Sequence, residues 1–323
     1  MDDLNRLFED VDTEEILDGI TRRQLVVGGA AVTGAVGAGS VLFGQDGDTE
    51  PTPADRLTTA ETRFTGVATT LTETDVVDPY SSWGLRNEIE TALNSVNQIL
   101  SEDFPDEPEI QQRLSALRTA TEYYSTLLTS LTAADSLFGS VSDSEPDVLK
   151  QTRELEYDPA SELDSSSFEQ SIGQLAAAEK APSEVTSEDR TLVPDQQAVL
   201  DALRTQRDLF DRHIRAQQSY LDSATPIEAG VRAYEQSRFA DARANLADAQ
   251  DALLPNISGT GEGYQLSNMG LTLNQYRELF TLRQDGVAQL LDASQESVPE
   301  DERQSAVNSA LNTFFKARNL IPR

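Results

Sequence analysis

The chain contains no cysteine and only one histidine, His213, among its 323 residues. Without cysteine it can form no disulfide, no zinc–thiolate site and no thiol nucleophile, and a single histidine is a poor basis for a transition-metal site. Asp211 is two positions away from His213 and therefore faces another side of a helix, so it is badly placed to act with it as a base. We expect His213 to have a surface or packing role, and we predict no bound metal and no cofactor.

Basic residues are also scarce, and lysine is nearly absent. Lys and Arg total 25 against 56 Asp and Glu, which gives a net charge of −31, and the lysines are Lys150, Lys180 and Lys316. Such a composition resembles proteins of extremely halophilic archaea, in which dense carboxylates hold water and cations while salt screens their mutual repulsion. An acidic surface for a cationic partner is the alternative. Nucleic-acid binding is not expected, because no basic patch is present to displace phosphate counterions.

Signatures of catalysis are missing as well. There is no glycine-rich phosphate loop, no nucleophile-elbow serine and no dinucleotide fingerprint, and the glycines of segment 259–263 follow no strand. The acidic clusters lack the spacing of an EF-hand loop. We therefore predict no catalytic residue, and we expect the protein not to be an enzyme.

One long uncharged run lies near the N-terminus. No residue from Gln24 to Gln45 carries a charge, and as a helix this run would span roughly 33 Å, enough for a bilayer core of about 30 Å. Glycine recurs between alanines and valines, so the run is less apolar than a typical membrane bundle helix. We predict that residues 24–44 contact the membrane, as a signal or as an anchor.

Two arginines stand directly before this run. Arg22 and Arg23 follow Thr21 and precede Leu25, and this pattern resembles the signal of the twin-arginine translocation family, although Val26 and its neighbour occupy the place where lysine is often found. The resemblance implies the twin-arginine translocase as a partner. An ordinary anchor with cytoplasmic arginines is the alternative. Both interpretations place the residues after about 45 outside the cytoplasm.

The fate of the segment depends on a small-residue site. Ala38, Gly39 and Ser40 form a cleavage candidate that would leave Val41 at the new N-terminus. We favour an uncleaved anchor in the cell membrane, and a cleaved chain would be secreted. We divide the chain into an acidic amphipathic cytoplasmic segment (1–20), the signal or anchor (21–44), a linker (45–55) and an extracytoplasmic helical domain (56–323).

Helical periodicity dominates the domain, and strand signals are absent. Apolar residues recur at intervals of three and four, which predicts an all-α fold of seven to nine helices. We expect a bundle or short solenoid of antiparallel helix pairs. The expected helices span about 54–73, 85–100, 108–138, 168–175, 195–222, 226–254 (a pair), 272–293 and 307–317. The segment 139–165, rich in Ser, Asp and Pro, is predicted to be loop.

The pair at 226–254 resembles a tetratricopeptide repeat. The resemblance implies that a small residue lets two helices approach, that two aromatic residues flank the turn, and that a 3-4-3 stripe forms the packing face of the second helix. These positions are Gly230, Tyr234, Phe239, Ala242, Leu246 and Ala249. A similar stripe follows near the C-terminus at Val307, Ala310, Phe314 and Ala317. A generic antiparallel helix pair is the alternative.

These features favour a non-enzymatic scaffold or protein-binding module at the cell surface, with a protein or peptide as its partner. An envelope substrate- or ion-binding protein, or a hydrolase without a visible site, is the alternative. Asn256 begins the single Asn-x-Ser/Thr sequon and is a candidate for glycosylation.

Overall fold

The computed structural model is all-helical, and its described residues from Pro53 onwards belong to one compact unit. It describes residues 51–79, 81–150, 166–178, 186–187, 190–253, 257–259, 263–264, 266, 269–295 and 297–321. The amphipathic segment 1–20, the predicted signal with Arg22, Arg23 and Leu25, and most of the linker lie outside the described residues.

Eight helices occur in these ranges. They are α1 (Pro53–Glu73), α2 (Trp83–Leu100), α3 (Pro108–Lys150), α4 (Ser166–Ala178), α5 (Gln196–Glu235), α6 (Phe239–Ala252), α7 (Leu273–Ala293) and α8 (Glu300–Arg318). Between α4 and α5, β1 (Thr186–Ser187) pairs antiparallel with β2 (Arg190–Thr191). A two-residue ladder is too short to form a layer of its own, so the all-α prediction is confirmed. Within the described ranges, no helix is both long and apolar enough to span a membrane.

The predicted end of α3 is wrong. The spacing placed it near Phe138, whereas the helix continues to Lys150. Its buried stripe continues through Val141, Glu145 and Leu149, at helical intervals of three and four. The stripe is not recognised from the sequence because position 145 is a glutamate, a residue type that is rarely found in a core.

The predicted break near Pro226 is also wrong. Residues 196–235 form a single helix, with Pro226 inside it. Proline removes one helical hydrogen bond, but Ser223, Ile227 and Gly230 on either side of it are all buried. Tertiary packing therefore holds the helix through the proline, and the tetratricopeptide-like pair begins within a longer helix rather than at residue 226.

Helix α5 is the central element of the fold. It packs against α3, α4, α6 and α7, and buried residues occur on several of its faces. Its side chains also reach loop and helix backbone, since Gln206 Nε2 donates to the Val76 carbonyl at 3.1 Å and Gln217 Nε2 donates to the Val141 carbonyl at 3.0 Å. The core of the unit is thus partly polar.

The start of α5 is fixed by an aspartate. Asp195 Oδ1 accepts from the backbone N–H groups of Gln197 (3.0 Å) and Ala198 (3.2 Å). We expect Asp195→Ala to lower the free energy of unfolding by about 1 kcal/mol, because two amide donors lose their acceptor. Urea unfolding followed by circular dichroism at 222 nm measures this loss. Asp195→Asn keeps the cap and serves as the control; equal stability of the two variants would contradict the expectation.

Helices α1, α2 and α3 pack against one another at the N-terminal end of the unit. Glu61 of α1 and Arg113 of α3 form a buried two-pronged ion pair, with Nε to Oε1 and Nη2 to Oε2 both at 2.8 Å. Tyr124 Oη donates to the Leu192 carbonyl at 2.8 Å, which ties α3 to the segment before α5. Polar contacts therefore fix how these helices meet.

Candidate functional site

A cluster of buried polar side chains lies where α3, α5 and α7 meet. We call it the central polar cluster, and its members are Glu145 (α3), His213, Gln217, Tyr220 and Ser223 (α5), and Tyr276 and Arg283 (α7). Helical spacing puts its members on shared faces, because residues three, four and seven apart lie on one side of a helix.

Glu145 accepts three hydrogen bonds in the cluster. Its Oε1 accepts from Tyr276 Oη at 2.9 Å and from the Leu271 amide at 3.3 Å, and its Oε2 accepts from the Gly270 amide. These donors precede or begin α7. A carboxylate 125 to 131 positions earlier in the chain therefore holds the start of this helix.

Burial dominates the electrostatics of this pair. It raises the pKa of the Glu145 carboxyl, although the donors from Gly270, Tyr276 and Leu271 act to lower it. Burial raises the pKa of Tyr276 well above its usual value, and the nearby Glu145 carboxylate raises it further. Tyr276 therefore stays a neutral donor at any physiological pH.

His213 is fully buried beside this pair. Its ring meets the ring of Tyr276 edge to face, with 6.0 Å between centroids. Within the part of the chain that the structure describes, neither ring nitrogen has a hydrogen-bond partner. Burial lowers the pKa of His213 to about 4, and the positive charge of Arg212 contributes to this. The packing role predicted for His213 agrees with its place in the core.

A cation completes the cluster at the α7 side. The Arg283 guanidinium stacks over the Tyr220 ring, with 3.9 Å to the centroid, and its Nη1 donates to Ser223 Oγ at 3.1 Å. Cation–π stacking and a hydroxyl acceptor offset part of the cost of burying this charge. These contacts join α5 to α7 about two to three turns along α5 from His213.

The contacts of the central polar cluster fix how α3, α5 and α7 meet. Among the described residues, no three His, Asp or Glu side chains lie close enough to hold a metal ion. Ser223 Oγ donates to the Tyr220 carbonyl at 2.8 Å, so it is engaged with backbone rather than with a base. The arrangement is that of a structural joint.

The predicted repeat residues come together in the hairpin of α5 and α6. A Cβ at Gly230 would lie 2.6 Å from Leu246 Cγ, which shows how closely the helices approach. Tyr234 and Phe239 meet edge to face across the turn, with 5.4 Å between ring centroids. Ala242, Leu246 and Ala249 are fully buried. These contacts are those of a closely packed antiparallel helix pair, and the repeat relationship stays a prediction.

The hairpin of α7 and α8 is packed in a similar way. A Cβ at Gly286 would lie 2.8 Å from Phe314 Cζ, and Val307, Ala310 and Ala317 are buried. The hairpins are neighbours, because α6 packs against α7. Arg243 Nη1 donates to the Ser294 carbonyl at 2.9 Å, and Gln284 Nε2 donates to the Leu253 carbonyl at 2.8 Å, and both bonds join α6 to α7.

Sequence reasoning missed Glu145 and the rest of the central polar cluster apart from His213. A glutamate within a Ser- and Asp-rich segment looks like loop, and its donors lie more than 120 positions away. The available signal was the continuation of the apolar stripe at Val141 and Leu149. Asn256, the glycosylation candidate, lies outside the described residues.

No family model, no curated protein and no solved structure matches the chain.

Proposed function

We propose that the protein is a membrane-anchored or exported helical scaffold that binds a protein or peptide partner at the cell surface. The observation that supports this most is the pair of neighbouring hairpins, α5–α6 and α7–α8, in which a glycine of the first helix meets a large residue of the second. Arrays of such hairpins, as in tetratricopeptide repeats, present extended surfaces for binding rather than closed catalytic pockets. The proposed localisation rests on Arg22, Arg23 and the uncharged residues 24–44, with the twin-arginine translocase as the export partner.

Two aromatic side chains suggest where a partner would bind. Trp83 at the start of α2 is 62% exposed and Phe315 near the end of α8 is 53% exposed, and they are the large hydrophobic residues exposed in the described part of the chain. Aromatic anchors supply much of the energy of protein interfaces. The net charge of −31 of the whole chain would suit a cationic partner, as well as adaptation to high salt.

The test begins with affinity purification of the tagged full chain from native membranes at high salt, followed by identification of cross-linked partners. The purified partner is then titrated against the full chain by calorimetry in the same salt. We expect direct binding that weakens at least about tenfold in the double variant Trp83→Ser/Phe315→Ser, because two anchors are lost, each worth about 1 kcal/mol or more.

Gln304→Ala, at an exposed position of α8, is the control and should bind as the wild type does. Unchanged binding by the double variant would remove both aromatic residues from the interface. Failure to recover any partner would favour the alternative, an envelope substrate- or ion-binding protein or a hydrolase. The central polar cluster is the observation in favour of that alternative, since buried ionisable groups are common at functional sites.

A further inference from the structure

The imidazole of His213 is in an unusual position for a titratable group. It is fully buried, packs edge to face on Tyr276, and has no hydrogen-bond partner for either nitrogen among the described residues. Its neighbour Tyr276 is one of the three donors that Glu145 uses to hold the start of α7. A change at the imidazole therefore acts on the contact between α3, α5 and α7.

We propose that His213 makes the contact between α3, α5 and the start of α7 (the joint) sensitive to acid. Protonation of the buried imidazole opens this joint, in which Glu145 of α3 and the central helix α5 hold the start of α7. Opening lets water reach the new cation. The proposal concerns a reversible local change in the folded chain, triggered by mild acid.

Among the described residues, no hydrogen bond joins the imidazole of His213 to Glu145 or to Tyr276. Both Glu145 oxygens are already engaged by donors, and Tyr276 Oη donates to Glu145. Arg212, next to His213 on α5, and Arg283 on α7 are positive, and Arg212 opposes a second positive charge at His213. The other described acidic residues near this contact are exposed or half-exposed, namely Asp143 of α3, Glu169 of α4, Asp208 and Asp211 of α5, Asp241, Asp248 and Asp251 of α6, and Glu278, Asp285 and Asp292 of α7. Burying a cation that has no hydrogen-bond partner has a large cost in free energy, so protonation of His213 destabilises the closed contact.

The direction of the pH effect follows from linkage. The pKa of His213 is lowered from its ordinary 6.5 to about 4 in the closed joint, so the closed form binds fewer protons than the open form. The stability that neutral His213 contributes to the closed joint is fully present above pH 6.5 and is lost as the pH falls towards 4. If His213 titrates with its ordinary pKa in the open form, its titration alone raises the equilibrium constant for opening about 20-fold between pH 7 and pH 5.

Glu145 acts in the opposite direction. Burial raises its pKa, so the closed joint binds its proton more readily than the open form does, and this titration favours the closed form as the pH falls. An acid-induced opening therefore cannot come from Glu145. The two groups can be distinguished by changing His213 alone.

Hydrogen exchange of the full chain, purified in detergent, tests the proposal. Because the contribution of Glu145 is common to the wild type and His213→Phe, the comparison between them isolates His213. We expect the opening constant for amides of residues 270–283, corrected for intrinsic exchange, to change between pH 7 and pH 5 by a factor about 20 times larger in the wild type than in His213→Phe. The chain would precipitate near its isoelectric point of about 4.2, so the exchange is measured no lower than pH 5. His213→Phe replaces the imidazole with a flat ring that cannot be protonated. In this variant the opening constant should rise less than about threefold between pH 7 and pH 5.

Arg215→Gln, at an exposed position of α5, is the matched control and should keep the full response of the wild type. Because His213 is the single histidine, NMR of histidine-labelled wild type reports its protonation directly, even if His213→Phe does not fold, and His213→Gln provides a second neutral variant. The proposal is overturned if the imidazole titrates near pH 6.5 while residues 270–283 stay protected. It is also overturned if the neutral variant opens as much as the wild type does.

Discussion

Replacing Arg113 with methionine is expected to lower the free energy of unfolding by about 3–5 kcal/mol, because the change leaves a buried carboxylate without its partner. Glu61 is almost fully buried, and its two oxygens receive Arg113 Nε and Nη2 at 2.8 Å. Arg113 Nη2 also donates to Thr58 Oγ1 at 2.9 Å. Denaturant unfolding of the wild type and the variant at pH 7 measures the loss.

Two controls separate the buried charge from the loss of a side chain. The double variant Glu61→Leu/Arg113→Met removes both charges and should recover most of the stability, since apolar replacement of a whole buried pair is close to neutral. Arg204→Met breaks an exposed pair with Asp201, whose side chains are 46% and 60% exposed, and should cost less than about 1 kcal/mol.

Salt provides a further distinction between the two pairs. Molar salt screens an exposed pair but barely reaches a buried one, so only the Arg204→Met effect should vanish at high salt. Two results would contradict the expectation: Arg113→Met and Arg204→Met costing the same, or the double variant being no more stable than Arg113→Met.

The second large effect is expected at Gly230. Gly230→Ala should cost about 1–3 kcal/mol, because the new Cβ would lie 2.6 Å from Leu246 Cγ and 2.8 Å from its Cδ2, and Leu246 is fully buried. Thermal and urea unfolding measure the cost. Gly286→Ala should cost less, because its neighbour is the ring tip of Phe314, a half-buried side chain that can rotate away.

Gly139→Ala is the control for the change of residue type. Gly139 lies within α3 with nothing within 4 Å of an added Cβ, so alanine should stabilise by about 0.5–1 kcal/mol through helix propensity alone. The expected order of stability is Gly139→Ala above wild type, then Gly286→Ala, then Gly230→Ala. If Gly230→Ala is as stable as Gly139→Ala, the close approach of α5 and α6 is not needed for the fold.

Where the apolar stripe is regular, the sequence predicts the helices well. Helices α1, α2 and α7 begin and end within about two residues of their predicted limits, because a helix that buries one face needs apolar residues three and four apart, which is a local property of the chain. The hairpin contacts of Gly230, Phe239 and Leu246 follow from the same rule. Local spacing is enough when the partner helix is next along the chain.

Where packing between distant segments decides the structure, the same rule fails. Helix α3 continues past Phe138 because Glu145 finds donors at Gly270 and Leu271, and helix α5 continues through Pro226 because neighbours cover both sides of it. Neither partner can be read from local spacing. Polar groups in the core look like loop or surface until their hydrogen bonds are known.

The sequence by itself therefore determined the fold class, most helix limits and the acidic, cysteine-free character of the chain, since each depends on composition or on residues within a few turns. The membrane segment at residues 24–44 stays a prediction. The tertiary structure alone decided that α5 is the central helix, that Glu61 pairs with Arg113, and that His213 lies against Tyr276 in the core. The physical reason is that burial of a charge or an imidazole is stable only with groups brought from elsewhere in the chain, and their distances are set by how the helices pack.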